Sequence, residues 1–290
     1  MSILINKNSR VLVQGITGHH GTINTKAMLA YSTKIVAGVT PGKGGQQVFN
    51  VPVYNTVKEA VKAHKPDWSI MFVPAPFAKA AAFEALKENL NIVIITEEIP
   101  VHDTIPILKE AEKRNLTIIG PNCPGLLTAG ECKLGIIPGS ITKKGNVGII
   151  SRSGTLTHEV TDLLTKANLG QSTIVGIGGD RIIGSDFETI LRLFEKDKQT
   201  KAVVLLGEIG GVLEQNACSF IQKMHKPVIT YITGRSAPPG KQMGHAGAIA
   251  YGAGQTAQAK MDALKKAGAH VALTPQQVPM LVKRALYSNR

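Results

Sequence analysis

The sequence predicts an α/β fold of two tandem doubly wound domains, and three observations predict it. Short β-branched runs alternate with amphipathic segments from end to end. Those runs are apolar throughout, as strands covered on both faces are. The alternation stops once, in a stretch rich in Gly and Pro, and then restarts. With 290 residues, 43% hydrophobic, and 30 glycines, the chain has enough apolar material for two medium-sized domains.

In the first half, strands are predicted at residues 11–16, 35–39, 69–73, 92–95 and 117–120, with helices such as 78–89 and 104–115 between them. The turn-rich stretch after Pro121 has little periodicity. This sets the expected organisation as 1–121 for the first domain, 122–145 for a linker and 146–290 for the second domain. In the second half, strands are predicted at 147–150, 173–177, 202–206 and 228–231. Ser185 and Glu188 have capping-box spacing and predict a helix start. A Gly/Ala/Pro-rich loop at 234–254 precedes a helix, a short strand near Val271 and a last helix. A loop that long inside a compact domain is usually functional.

The charge is +13, from 33 Lys+Arg against 20 Asp+Glu. The excess is shared almost evenly by the two halves, so neither is a basic arm. One local excess, Lys260, Lys265, Lys266, Lys283, Arg284 and Arg290 against Asp262, reads as a solvated helical surface. With five Tyr, seven Phe and one Trp there is no aromatic platform for bases, and no nucleic-acid partner is expected. No apolar run has the length of a membrane span, and the first residues lack the pattern of a signal or transit segment. The expectation is a cytoplasmic protein with no membrane partner. Cys123, Cys132 and Cys218 have neither zinc nor CxxC spacing and read as reduced thiols, with no metal site expected.

The first strand runs into Gly15-Ile-Thr17-Gly18-His19-His20-Gly21-Thr22, a glycine turn opening a helix. Such a turn lets backbone N–H groups approach a phosphate. A NAD site calls for an acidic residue about 20 positions on; here the second strand ends in Val39-Thr-Pro-Gly-Lys43-Gly-Gly45. A lysine in place of the acid favours a phosphorylated ribose, as in NADP or coenzyme A. Strands three and four end in Val73-Pro-Ala-Pro76 and Ile95-Thr96-Glu97, at the carboxyl edge where open α/β sheets bind ligands.

In the second half, Ser151-Arg152-Ser153-Gly154-Thr155 leads a strand into a helix. It does not satisfy the Gly-x-Ser-x-Gly pattern of a nucleophile elbow and reads as an anion cradle or a plain N-cap. Of eight histidines, His245 stands apart, because Pro239-Gly-Lys-Gln-Met-Gly244-His245-Ala-Gly247 presents it among small residues in the long loop. A neutral imidazole so placed can carry a phosphoryl group covalently. Glu208, in Gly207-Glu-Ile-Gly-Gly211 at a strand end, is the carboxylate that could orient it.

Together these segments resemble the alpha subunits of succinyl-CoA synthetase (succinate–CoA ligase). The resemblance runs in order through Gly-Val-Thr-Pro-Gly-Lys-Gly-Gly at 38–45, Gly-Pro-Asn-Cys-Pro-Gly at 120–125, Ser-Arg-Ser-Gly-Thr-Leu-Thr at 151–157, Gly-Ile-Gly-Gly-Asp at 176–180 and Met-Gly-His-Ala-Gly-Ala-Ile at 243–249. It implies a Rossmann-like CoA-binding domain followed by a flavodoxin-like domain carrying a phosphohistidine. It also implies a role in the tricarboxylic acid cycle, with succinate, CoA and phosphate as substrates, and an ATP-grasp beta subunit as partner in an αβ or (αβ)₂ assembly. ADP/ATP or GDP/GTP with Mg would sit on that partner. By the same resemblance His245 is the phosphoryl carrier and Glu208 its orienting partner. Ser153, Gly154 and Thr155 hold phosphate, and Thr17, Gly18, His19, His20, Lys43, Ile95, Thr96 and Glu97 contact CoA. His158 stands beside the acyl substrate where the family usually has Tyr. Arg181 stands where Pro is more usual, and Tyr251 and Ala253 also depart from the pattern. The alternatives are a ligase for malate or another acid, an NADP-linked oxidoreductase, and a CoA- or nucleotide-sensing module.

Overall fold

The computed structural model describes residues 2–238 and 240–287; Pro239 and Arg290, named above with the loop and the basic stretch, lie outside the described residues. The first unit contains β1 (Arg10–Gln14), α1 (His19–Ala30), β2 (Lys34–Val39), β3 (Gln47–Val48), β4 (Val51–Tyr54) and α2 (Val57–His64). It continues with β5 (Trp68–Met71), α3 (Ala75–Lys87), β6 (Asn91–Ile94), α4 (Val101–Lys113) and β7 (Ile118–Ile119). Its seven strands run β3-β4-β2-β1-β5-β6-β7, parallel except for the β3–β4 hairpin. The chain reverses direction across the sheet between β1 and β5, so the loops after those strands border the crevice where ligands bind in such sheets.

The second unit contains β8 (Gly125–Thr128), β9 (Cys132–Gly135), β10 (Lys144–Ser151), α5 (Gly154–Lys166), β11 (Gln171–Gly176), α6 (Phe187–Lys196) and β12 (Ala202–Gly207). The short α7 (Leu213–Asn216) and α8 (Cys218–Ile221), then β13 (Val228–Ile232), α9 (Ala257–Lys266), β14 (His270–Ala272) and α10 (Val278–Tyr287) complete it. Its seven strands run β14-β13-β12-β10-β11-β8-β9. Here the reversal falls between β10 and β12, and Arg152 and Glu208 are the first residues beyond those two strands.

The predicted strands and major helices are present, with ends shifted by a few residues. Three features differ. The segment 122–145, expected as a linker, holds β8 and β9, an antiparallel hairpin whose β8 pairs antiparallel with β11. Its glycines and prolines mark the tight hairpin and hide two strands only four residues long. The helix expected to begin at a Ser185 cap is capped by Asp186, whose carboxylate accepts from Thr189 N–H at 2.8 Å. The Ser185 hydroxyl instead donates to the Ile118 carbonyl at 2.8 Å. A true capping box lies at Thr56 and Glu59, opening α2.

The two sheets share a continuous core in which Val11, Ile70 and Val93 of the first belong to the same buried cluster as Ile150, Val175 and Leu205 of the second. α6 shows how the pattern drives packing: Phe187, Ile190, Leu191 and Phe194 fall on one helical face and all are fully buried. Polar contacts between the units follow the same seam. Cys123 Sγ donates to Ile94 O at 3.2 Å, Asn122 N–H to Thr96 O at 3.0 Å, and Thr128 Oγ1 to Ile5 O at 2.9 Å. Among the described residues, no helix is long and apolar enough to cross a membrane.

Candidate active site

Parallel strands deliver their following loops to one edge, so residues far apart in sequence converge there. In the first unit the turn after β1 packs against the end of β5. A Cβ on Gly15 would lie 2.6 Å from Phe72 O, and one on Gly21 would lie 2.0 Å from Gly15 O, so only glycine allows the helix to start this close to the strand. α1 begins at His19 after Gly18, which supplies no side-chain cap. Its first N–H groups therefore stay available to an anion.

Beside this helix end is a cleft of about 540 Å³ lined by His20, Asn24, Phe72, Val73, Pro74, Ile95, Thr96, Glu97 and Ile136. It gathers His20, Ile95, Thr96 and Glu97 of the expected CoA contacts. Thr17 lies behind the turn, its hydroxyl 3.1 Å from Thr40 Oγ1, and Lys43 stands on the exposed loop after β2. Neither these two nor Gly18 and His19 line the cleft. Asn24 was not picked out from sequence, although it sits one helical turn after His20 and donates to its carbonyl at 2.9 Å. Ile136 could not be found that way, since it enters the cleft from the second unit.

A second cleft, of about 470 Å³, is lined by Glu97, Asn122, Asp180, Arg181, Gly244 and Ala246 among others. Glu97 borders both clefts and joins the first unit to the loop that carries His245.

That loop follows β13. His245 Nδ1 is 2.7 Å from Glu208 Oε2. An ionised carboxylate only accepts, so Nδ1 carries the proton and Nε2 keeps its lone pair in the neutral ring. The hydrogen bond to Glu208 raises the His245 pKa above the usual histidine value; burial opposes this, the Glu208 charge adds to it, Arg152 opposes it and Glu97 adds to it. Glu208 is 2% exposed, and its other oxygen faces Arg152 Nη2 at 3.3 Å. The Arg152 guanidinium also donates to Asp180 O at 3.2 Å. Asn122 Nδ2 holds Asp180 Oδ1 at 2.9 Å, while burial pushes that carboxyl above its ordinary pKa. Gly179 is the floor under the imidazole, where a Cβ would lie 2.7 Å from His245 Cγ.

Ser153 caps α5, its hydroxyl accepting from Leu156 N–H at 3.3 Å. The N–H groups of Gly154 and Thr155 make no hydrogen bond among the described residues, leaving two donors at the positive end of a 13-residue helix. His158 lies one turn further along. Burial and the nearby Lys133 charge lower its pKa, and its buried Nε2 has no partner among the described residues. Arg181 and Tyr251, two of the departures seen in the sequence, meet on the His245 loop. Arg181 Nε donates to Ala246 O at 3.1 Å, and its Nη2 lies 3.3 Å from Tyr251 Oη. Among the described residues no group of three or more His, Cys, Asp or Glu is placed to hold a metal ion.

The arrangement presents an imidazole whose Nε2 keeps its lone pair and, in the same unit, a helix end whose free N–H groups can hold an anion. The chain matches the CoA binding domain model over residues 6–98 and the CoA-ligase model over residues 150–270. It is 55% identical, over 99% of its length and all of the relative's, to a protein of Archaeoglobus fulgidus named succinate–CoA ligase [ADP-forming] subunit alpha 2. The chain belongs to the succinate–CoA ligase alpha-subunit family. A second family member, from Aquifex aeolicus, is 51% identical over 99% of this chain and 95% of its own. Among solved structures, ATP citrate lyase from Methanothrix soehngenii in complex with citrate and coenzyme A superposes with a TM-score of 0.87 at 28% identity. That match covers 98% of this chain and 52% of the lyase chain, so the family fold spans about half of that larger protein.

Proposed function

We propose that this chain is the catalytic alpha subunit of a succinate–CoA ligase, acting through a phosphohistidine at His245. The observation that carries the reading is the Glu208–His245 pair, which fixes the proton on Nδ1 and leaves Nε2 as the nucleophile.

In the first step phosphate attacks the thioester carbonyl of succinyl-CoA, forming succinyl phosphate and releasing CoA as the thiol. His245 Nε2 then attacks the phosphorus, the P–O bond to succinate breaks, and succinate leaves as a carboxylate. In the last step a nucleoside diphosphate takes the phosphoryl group and regenerates the neutral imidazole. Splitting the transfer keeps each barrier low, and Glu208 stabilises the positive charge that develops on the ring during each attack.

CoA is assigned to the unit spanning 1–121, its acyl end running along the cleft from His20 and Ile95–Glu97 toward Glu97 and Asn122. Ser153, with the free N–H groups of Gly154 and Thr155, holds the phosphoryl oxygens. Thr17, Gly18, His19 and Lys43 then serve the outer, phosphorylated end of CoA, and His158 faces the acid. The unit spanning 146–290, with the sheet edge at 122–145, carries the chemistry. The nucleotide with its Mg belongs to an ATP-grasp beta subunit in an αβ or (αβ)₂ complex located in the cytoplasm. Parallel assays of that complex with succinate and malate test the substrate. Turnover of succinate is expected, whereas turnover of malate with succinate inert would contradict the assignment.

A further inference from the structure

Behind the Glu208–His245 pair lies a second, fully buried ion pair that the chemistry above does not use. Glu214 and Lys260 are both 0% exposed, and Lys260 Nζ donates to Glu214 Oε2. Removing two charges from water is costly, and an apolar pair of similar volume is often no less stable. Stability alone is therefore a weak reason for this pair, and its remaining contacts point to another.

The other partners of the two charged groups are Arg152 and the turn that carries Glu208. Glu214 Oε1 accepts from the backbone N–H of Glu208 at 3.1 Å and faces Arg152 Nη1 at 3.9 Å. Lys260 Nζ also donates to the carbonyl of Gly210 at 2.5 Å. The pair thus grips the turn carrying Glu208 from both sides. Glu214 does so from α7, just after that turn, and Lys260 from α9, the helix that begins directly after the His245 loop. Gly210 N–H donates to Gln255 O at 2.9 Å, which adds a backbone tie between the same turn and the loop's far end.

We infer that Lys260 and Glu214 are positioning residues for phosphoryl transfer, holding the Glu208 carboxylate and the Arg152 guanidinium in the register that orients His245. The pair ties the backbone of the Glu208 turn, at Glu208 N–H and Gly210 O, to α9, so Glu208 is held by contacts that do not pass through the loop carrying His245. Glu214 also shares Arg152 with Glu208. The partial charge Arg152 directs at Glu208 is therefore limited, and Glu208 remains free to accept from His245. This inference rests on the phosphohistidine reading.

The test uses the complex with the partner subunit and four variants: Lys260→Met, Lys260→Arg, Glu214→Gln and the double replacement Lys260→Met with Glu214→Met. The readouts are the rate of phosphohistidine formation from nucleoside triphosphate, its pH profile, and KM for CoA. Rates are normalised to CoA-binding sites, so that unfolded protein does not count. Misplacement of a catalytic group by about 1 Å costs on the order of 100-fold, and a loss of roughly 10- to 100-fold is expected for Lys260→Met. KM for CoA should change less than about twofold, and Lys260→Arg should recover most of the rate. Glu214→Gln gives Arg152 wholly to Glu208, which lowers the His245 pKa, so the acidic limb should move to lower pH. His245 is faced by Glu208, Arg152, Asp180 and Glu97, none of which these variants alter. The double variant replaces the ion pair by apolar side chains of similar size and guards against failure to fold; its rate should stay low. A folded Lys260→Met or double variant with the wild-type rate, or a Glu214→Gln variant with the wild-type pH profile, would overturn the inference. A wild-type complex that forms no phosphohistidine would instead overturn the reading on which it rests.

Discussion

Glu208 holds His245 by a 2.7 Å bond to Nδ1 while its second oxygen faces Arg152 at 3.3 Å. One carboxylate therefore sets both the tautomer of the imidazole and its pKa. In the proposed reaction Nε2 attacks and must be unprotonated, so the transfer rate should rise as pH passes upward through the raised His245 pKa. Glu208→Gln removes the charge that raises it. The acidic limb of the pH–rate profile should move to lower pH, and the maximal rate should fall roughly 10- to 100-fold from lost orientation. Stopped-time assays of phosphohistidine formation between pH 5 and 9 would check both, and a limb that stays in place would contradict the role of Glu208.

Gly179 supplies a second test because its position leaves no room for a methyl group. A Cβ there would lie 2.7 Å from His245 Cγ and 2.8 Å from Nδ1. Gly179→Ala should fold, bind CoA normally and lose about 100-fold in phosphoryl transfer, as the ring is pushed off Glu208. Isothermal titration with CoA beside a phosphorylation assay separates the two effects.

Arg181 tethers the His245 loop through Ala246 O and Tyr251, with its guanidinium carbon 5.7 Å from the Tyr251 ring centroid. Both side chains are exposed, and an exposed cation–π contact stabilises by about 0.5–1 kcal/mol. Arg181→Ala should therefore alter the balance between the two half-reactions only about two- to fivefold, favouring phosphorylation by nucleotide. Tyr251→Phe keeps the ring contact and should change it less. Single-turnover rates in each direction give the comparison.

The cysteines are expected to differ sharply in reactivity. Burial pushes the Cys123 thiol up to about 12 and Cys132 up to about 11, so at pH 8 the Cys123 thiolate is on the order of one part in 10⁴. Cys218 is only partly buried and should be alkylated first by iodoacetamide in the native protein, as followed by peptide mass spectrometry. Rapid labelling of Cys123 in the free chain would contradict the burial.

The sequence periodicity made the alternating strands and helices legible, because strands covered on both faces leave long apolar runs. It could not reveal β8 and β9, where four-residue strands are masked by turn residues. It could not separate Ser185 from Asp186 as a cap either, since both have the required oxygen and only the seam with Ile118 decides between them. His245 and Glu208 were legible from loop composition and strand-end position. The supporting residues were not. Glu214 and Lys260 are ordinary charges on helical segments in sequence, and only the fold brings them together from 46 positions apart. Ile136 likewise becomes part of the first cleft only because the second sheet packs against the first.

The central claim is that the phosphoryl group passes through His245. Incubation of the complex with nucleoside triphosphate labelled at the terminal phosphate, followed by acid and alkali treatment of the isolated chain, tests it most directly. An acid-labile, alkali-stable label on His245, absent from His245→Ala and discharged by succinate with CoA, is the expected result. Undiminished labelling of the His245→Ala chain would contradict it.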